Sequence, residues 1–289
     1  MSAAATLSPP DEGKVARAVR AAKAAAHRTV GAVNEVTVLY RSRRIVLLLP
    51  ERAVVARTGP SDPTSLAADT RELAVSHYLL ERGAPVVGPV EAMGLEPIVE
   101  EGVAVTLWPR VEHRTADYDD AEAVADAAHA LHRVHERFAD YPAPLPSYFE
   151  RIEECGRLLR DVDALPALAA ADRTFLLGVY ERSLGELSGV STRTAPIHGD
   201  AHMGNVFFTA KGPLWTDFET ACVGPYEWDI AGTPHFPAFP AYDADLYKIL
   251  SDLRSLCVAV WCSALAADPD KREAAEHQLS QLRARDARR

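Results

Sequence analysis

The period of hydrophobic and polar positions alternates repeatedly between helical and strand-like along the 289-residue chain. After a polar N-terminal stretch, residues 11–30 are rich in Ala, Lys and Arg and predict a helix that stops at Gly31. Three β-type runs follow at 35–40 (EVTVLY), 44–49 (RIVLLL) and 53–58 (AVVART). Only Arg41-Ser42-Arg43 and Pro50-Glu51-Arg52 separate them, and breaks that short require antiparallel hairpins, so a three-stranded meander is expected. A loop at 59–65, rich in Gly, Pro, Ser, Asp and Thr, leads into a predicted helix over 66–82, closed by Gly83 and Pro85. Apolar β-type runs at 85–90 and 103–107 flank a hairpin-like connection at 94–102, which predicts a five-stranded antiparallel sheet with one helix packed on it. From Ala121 the helical period takes over, with helices expected over 121–138, 147–163 and 170–187 and prolines 142, 144, 146 and 166 at the breaks. Short β segments at 206–209 and 213–216 interrupt this pattern before helices resume over 242–266 and 271–285.

A β-rich first third and a helical remainder give an α+β chain of two lobes, 1–107 and 113–289, joined by a hinge at 108–112. A cleft between such lobes is the usual place for a ligand. Composition is that of an ordinary globular protein, 48% hydrophobic and 25% charged. The longest apolar run, 256–267, is too short to span a bilayer, and the N-terminus lacks the charged start and apolar core of a secretory signal. Four cysteines without a C-x-x-C pair read as reduced thiols of a cytoplasmic protein. The net charge of −10, from 41 acidic against 31 basic residues, argues against a nucleic-acid partner and is compatible with a cationic small substrate.

The chemistry sits in residues 197–232, IHGDAHMGNVFFTAKGPLWTDFETACVGPYEWDIAG. There Asp200, Asn205 and Asp217 stand between short apolar runs. A loop carboxylate, a loop carboxamide and a carboxylate at a strand end can position a hydroxyl nucleophile and hold magnesium against a nucleotide triphosphate. Phosphoryl transfer needs such an assembly, because its catalysis is mostly positioning and neutralisation of phosphate charge. Magnesium prefers oxygen ligands and takes few of them from protein. Any one of the three alone reads equally as a helix cap, a turn residue or a solvated carboxylate. His129, His132 and His135 are not a metal set, because helical spacings of three and six turn the side chains through about 300° and 600° and carry the third off the face of the first two. Walker A, G-x-S-x-G and G-x-G-x-x-G patterns are absent, which weakens P-loop, hydrolase and Rossmann alternatives.

The H-G-D-x-x-x-x-N block followed by D-F-E resembles the aminoglycoside phosphotransferase family, a branch of the protein-kinase-like superfold, over roughly residues 30–270. The resemblance implies a nucleotide-binding small lobe, a helical lobe carrying the catalytic loop and the acceptor site, and a magnesium-dependent transfer from ATP or GTP. Asp200 becomes the catalytic carboxylate that orients the acceptor hydroxyl and takes its proton, and Asn205 and Asp217 become magnesium ligands. The family expects a lysine on the third strand; Arg57 stands there, with Glu72 fifteen residues later as its ion-pair partner. A guanidinium meets phosphate as a fork rather than as a point charge. The first hairpin has no glycine, so the phosphate cradle is replaced at best by Ser42 and the cations Arg41, Arg43 and Arg44. Leu107-Trp108-Pro109 becomes the segment that packs the nucleobase, with Pro109 lacking a donor. His202 where protein kinases commonly carry lysine, and no A-P-E segment, favour a small-molecule hydroxyl acceptor such as an aminoglycoside, sugar or amino alcohol over a protein. Asp229 is expected to hold the catalytic loop, and Glu219 to stand near the metal. The competing expectation is a pseudokinase-like binding protein, which Arg57 and the missing glycine loop keep open. Acidic residues of the helical lobe (Glu150, Glu153, Glu154, Asp243, Asp245) either attract an amine or are solvated.

Overall fold

The computed structural model describes residues 12–42 and 44–289; Asp11 of the expected first helix and Arg43 of the expected first hairpin lie outside the described residues. In chain order the elements are α1 (Glu12–Thr29), β1 (Thr37–Arg41), β2 (Ile45–Leu49), β3 (Val54–Pro60), α2 (Pro63–Glu81), β4 (Ile98–Glu100), β5 (Val103–Pro109), α3 (Ala121–Phe138), α4 (Tyr148–Arg160), α5 (Ala170–Ser188), β6 (Ala195–Ile197), β7 (Val206–Thr209), β8 (Gly212–Trp215), β9 (Cys222–Gly224), α6 (Tyr226–Ile230), α7 (Ala244–Ala264) and α8 (Pro269–Asp286). They fall into two compact units. The first holds the described residues up to Ala143 together with Asp200–Ala221; the second holds Pro144–Gly199 and Cys222–Arg289.

The first unit is built on a five-stranded antiparallel sheet in the order β1-β2-β3-β5-β4. The meander is as the short breaks require: Leu47 lies opposite Ala56, and Val38 opposite Leu47. One expected strand is corrected. Residues 85–90 make only an isolated bridge from Val86 to Trp215, and the edge strand is β4, inside the expected hairpin connection. Pro85 and Pro89 withhold two ladder donors there, which confines such a run to irregular backbone. Helix α2 begins at Pro63, three residues before the expected start. Asp62 caps it by accepting from the Thr64 and Ser65 amides, and proline suits the first helical position.

Helix α1 also contributes to this core. Its alanines 18, 21, 22, 25 and 26 are buried at helical spacing among Leu47, Leu49 and Leu107 of the sheet. The second unit buries α4, α5, α7 and α8 around Ile152, Leu176, Leu250 and Leu253, with the β6–β9 pair joined to it. A complete capping box of Ser147 and Glu150 starts α4, and Asp243 caps α7 by accepting from the Asp245 and Leu246 amides. All four cysteines are free thiols. No helix among the described residues is long and apolar enough to cross a membrane.

Candidate active site

A β-hairpin turns twelve residues of sequence separation into proximity. Strands β7 and β8 pair antiparallel with Val206 opposite Trp215, so the residues flanking that pair, Asn205 and Thr216, also meet. The Thr216 amide donates to the Asn205 carbonyl at 3.0 Å, and the Asn205 amide donates to the His202 carbonyl at 2.9 Å. The Asn205 side chain is nearly buried and donates its Nδ2 to the Asp200 carbonyl at 3.0 Å, which leaves Oδ1 as the oxygen available to a cation. Beyond β8 the chain bends sharply at Asp217, whose φ of +68° is left-handed. Asp and Asn tolerate that region better than most residues, so a carboxylate fits this bend.

The bend delivers Asp217 into a network of charges from β3, α2 and the residue preceding β2. The Arg57 fork pairs with Glu72 through Nη1 and with Asp217 Oδ1 through Nη2 at 3.0 Å. Arg44 repeats the arrangement alongside: Nη1 lies 2.7 Å from Asp69 and Nη2 2.5 Å from Glu219. Arg71 anchors the same turn by donating Nε and Nη2 to the Glu219 backbone carbonyl at 2.8 and 2.5 Å. Asp69 and Glu72 are three apart on α2 and therefore share a helix face. Four carboxylates thus share two guanidinium groups. Burial opposes the Arg57 charge, but Glu72, Asp217 and Glu219 outweigh it and hold the guanidinium ionised. Burial pushes Glu72 up against the pull of Arg57, with Asp217 and Glu219 adding to the rise, to about 8. Its buried Oε2 has no hydrogen-bond partner among the described residues, which agrees with a carboxyl group that ionises late. Asp69 is also raised by burial, against Arg44. Asp69, Glu72 and Glu219 bring carboxylate oxygens within 4.8 Å of one another, but Arg44 and Arg57 already pair with this set.

In the second unit the residues just before Asp200 are pinned from both sides. The fully buried Asp229 accepts from the His198 amide at 2.8 Å and the Gly199 amide at 2.9 Å, as expected of it. The Gly199 carbonyl accepts from Trp228 Nε1 at 2.9 Å and from Arg254 Nη1 at 3.3 Å. Glycine is needed here, because φ is +82°.

In the first unit a cavity of about 910 Å³ brings together Ser42, Arg57, Glu72, Trp108, Asn205 and Asp217. Two expected site residues are placed elsewhere. Leu107 is fully buried in the apolar core, because strand alternation turns it away from Trp108, and the segment bordering the cavity runs from Trp108 to His113. Asp200 does not line the cavity; it starts the loop that carries Asn205, with its carboxylate 3.8 Å from His202 Nε2. Arg44, Asp69 and Arg71 were not anticipated as a group; the Asp69/Glu72 spacing and the cation at the start of β2 were the available signals. Of the acidic residues of the helical part, Glu150 and Asp243 serve as caps and Asp245 pairs with Lys248 at 2.8 Å.

A sequence model of the family described as "Phosphotransferase enzyme family" matches residues 33–287. A "probable ketoamine kinase" of Thermus thermophilus is 28% identical over 216 residues, covering 70% of this chain and 82% of its own. Among solved structures, an amicoumacin kinase in complex with AMP-PNP and Ca2+ superposes with a TM-score of 0.65 at 14% identity, covering 96% of this chain and 94% of its own. The GDP complex of aminoglycoside 2'-phosphotransferase-IIIa gives 0.61 at 15% identity, over 88% and 94%. The fold is therefore protein-kinase-like, α+β, with an antiparallel sheet and a mainly helical remainder.

Proposed function

The chain belongs to the phosphotransferase enzyme family, and from that premise we propose that it is a magnesium-dependent O-phosphotransferase moving the γ-phosphoryl group of ATP or GTP to a hydroxyl of a small molecule. One observation carries the reading. A single cavity holds two oxygen donors, Asn205 and Asp217, beside a guanidinium that Glu72 and Asp217 hold in place. The donor set fits the metal: a free carboxamide oxygen and a carboxylate are hard ligands, few in number. Bound Mg2+ supplies neutralisation of the phosphate oxygens as charge redistributes during transfer.

The protein's own groups do the rest. Arg57 faces the phosphates as a fork, and its pairing with Glu72 fixes the direction of that fork. Ser42, at the tip of the first hairpin, offers a hydroxyl at the cavity. Trp108 packs the nucleobase. Asp200 orients the acceptor hydroxyl and accepts its proton, and the pinned His198-Gly199 backbone sets where it stands. The division into a nucleotide lobe (1–107), a hinge (108–112) and an acceptor lobe (113–289), and a cytoplasmic setting, belong to the same proposal. For the acceptor, the ketoamine kinase relative puts ketoamines first, ahead of aminoglycosides and amino alcohols, and the acidic balance of the chain is compatible with any of these amines. A binding-only protein is the weaker reading, because Asp200, Asn205 and Asp217 are all present.

The test is nucleotide consumption with Mg2+ over a panel of ketoamines, sugars, amino alcohols and aminoglycosides, beside Asp200→Ala. Acceptor-dependent turnover in the wild type, lost in Asp200→Ala with nucleotide affinity retained, is expected. Full activity in Asp200→Ala would sink the assignment of that carboxylate. Nucleotide binding without turnover across the panel would favour the binding-only reading.

A further inference from the structure

Six consecutive residues, Trp108 to His113, border the cavity together with apolar side chains of Val46, Val55 and Phe207. A flat heterocycle with a polar edge suits such a slot, and the groups along the backbone decide which edge. Pro109 has no N–H. The Arg110 amide is spent on the Ala53 carbonyl at 2.7 Å. Val111 N–H has no hydrogen-bond partner among the described residues, and strand alternation places it on the same edge as the Pro109 carbonyl, so it is a donor open at this edge. Bonded and non-bonded pairs alternate in an antiparallel ladder. Because Arg110 bonds to Ala53, the neighbouring pair Pro109 and Val54 is a non-bonded one, and the Pro109 carbonyl is turned out of the ladder as an acceptor.

The next acceptor along the chain already receives one hydrogen bond. His113 Nδ1 lies 2.8 Å from the Val111 carbonyl. A carbonyl only accepts, so Nδ1 carries the hydrogen. The imidazole also lies flat on Phe207, with ring centroids 3.7 Å apart and planes 10° from parallel. Two contacts therefore keep this donor on the Val111 carbonyl.

Adenine presents an amine donor beside a ring acceptor, which matches the Pro109 carbonyl and the Val111 N–H. Guanine presents its O6 acceptor beside N1–H and N2–H donors. Its O6 can meet the Val111 N–H, but its N1–H then needs the Val111 carbonyl. We propose that His113 tilts the nucleobase preference of this site toward adenine by taking one of the two lone pairs of the carbonyl that guanine requires and competing with it there. The inference rests on the cavity being a nucleotide site, as argued above, and adds the residue that selects the base.

The test measures dissociation constants of Mg-ADP and Mg-GDP by calorimetry for the wild type, His113→Ala and His113→Phe. Phenylalanine keeps the stack on Phe207 and removes only the donor. Wild type should bind ADP at least about tenfold more tightly than GDP, a gap of about 1.4 kcal/mol. Both variants should shrink that ratio to about threefold or less, chiefly by tightening GDP. His113 is exposed, and thermal melting checks that the variants fold like the wild type. Equal affinities or a GDP preference in the wild type would overturn the proposal, as would an unchanged ratio in the variants. A ratio that falls in His113→Ala but not in His113→Phe would assign selection to the stack and overturn the role given to the hydrogen bond. Wild type that binds neither nucleotide would instead overturn the assignment of the cavity, an outcome distinct from binding both without preference.

Discussion

Truncating Asp229 tests how the residues before Asp200 are held. Its carboxylate is fully buried and accepts from two consecutive amides, His198 at 2.8 Å and Gly199 at 2.9 Å. Asp229→Ala removes both acceptors and leaves two buried donors. Each such donor costs about 1–3 kcal/mol, so the variant should lose about 2–6 kcal/mol. Against a total stability of about 5–15 kcal/mol, that is a large fraction. Asp229→Asn keeps one acceptor oxygen and turns an NH2 toward the other amide, so it should fall between the two. Urea denaturation followed by tryptophan fluorescence reads the loss as a shift in midpoint at constant slope. Turnover should drop as well, by at least about tenfold, because the Gly199 amide no longer has the partner that fixes the approach to Asp200, and mispositioning of that size is costly in rate. Nucleotide affinity should stay near the wild-type value. An alanine variant within about 1 kcal/mol of wild type would mean that the amides find other partners or that the segment does not depend on Asp229.

Two other perturbations follow from the same physics. The Glu72 carboxyl is raised to about 8 in the folded protein from an ordinary 4.5, so folding favours its proton; that stabilisation is complete below pH 4.5 and is lost as pH rises through 8. Glu72→Gln, which cannot ionise, should therefore flatten the fall in melting temperature between about pH 5 and 8.5; a wild-type-minus-variant difference that stays constant with pH would contradict this. A Cβ at Gly156, on α4, would stand 2.4 Å from the buried Tyr180 ring of α5. Helix propensity alone favours alanine by about 1 kcal/mol, but overpacking costs about 1–3 kcal/mol. Gly156→Ala should thus lower the melting temperature, and a rise would mean that the tyrosine moves aside freely.

Local sequence signals carried most of the elements because local physics determines them. The meander needed only two breaks too short for anything but hairpins. The helix at 121–138 matches α3 to the residue, because Asp120 caps it and its alanines and leucines keep a helical stripe. Where local signals failed, a competing local rule or a distant partner decided. Prolines 85 and 89 kept an apolar run out of the sheet, and the short β4 took the edge instead. The residues of β6 and β9 gave no strong signal, since two three-residue strands exist only through pairing with each other.

The HGD…N…DFE block carried the resemblance to the phosphotransferase family in the sequence itself, because several residue types recur there at set offsets. The Arg57–Glu72 pair was implied by the family resemblance rather than by spacing alone, and it forms. What the sequence could not carry is the company these residues keep. That Arg57 also bridges to Asp217, that Arg44 and Asp69 build a second pair onto Glu219, and that Arg71 clamps the turn from α2 are long-range contacts across 25 to 175 positions of chain. The cavity edge likewise begins at Trp108 rather than Leu107, because sheet alternation turns the two buried side chains to opposite faces and only that of Trp108 borders the cavity. Sequence decided which groups are available; the fold decided which of them share charge, and so how readily each holds its proton.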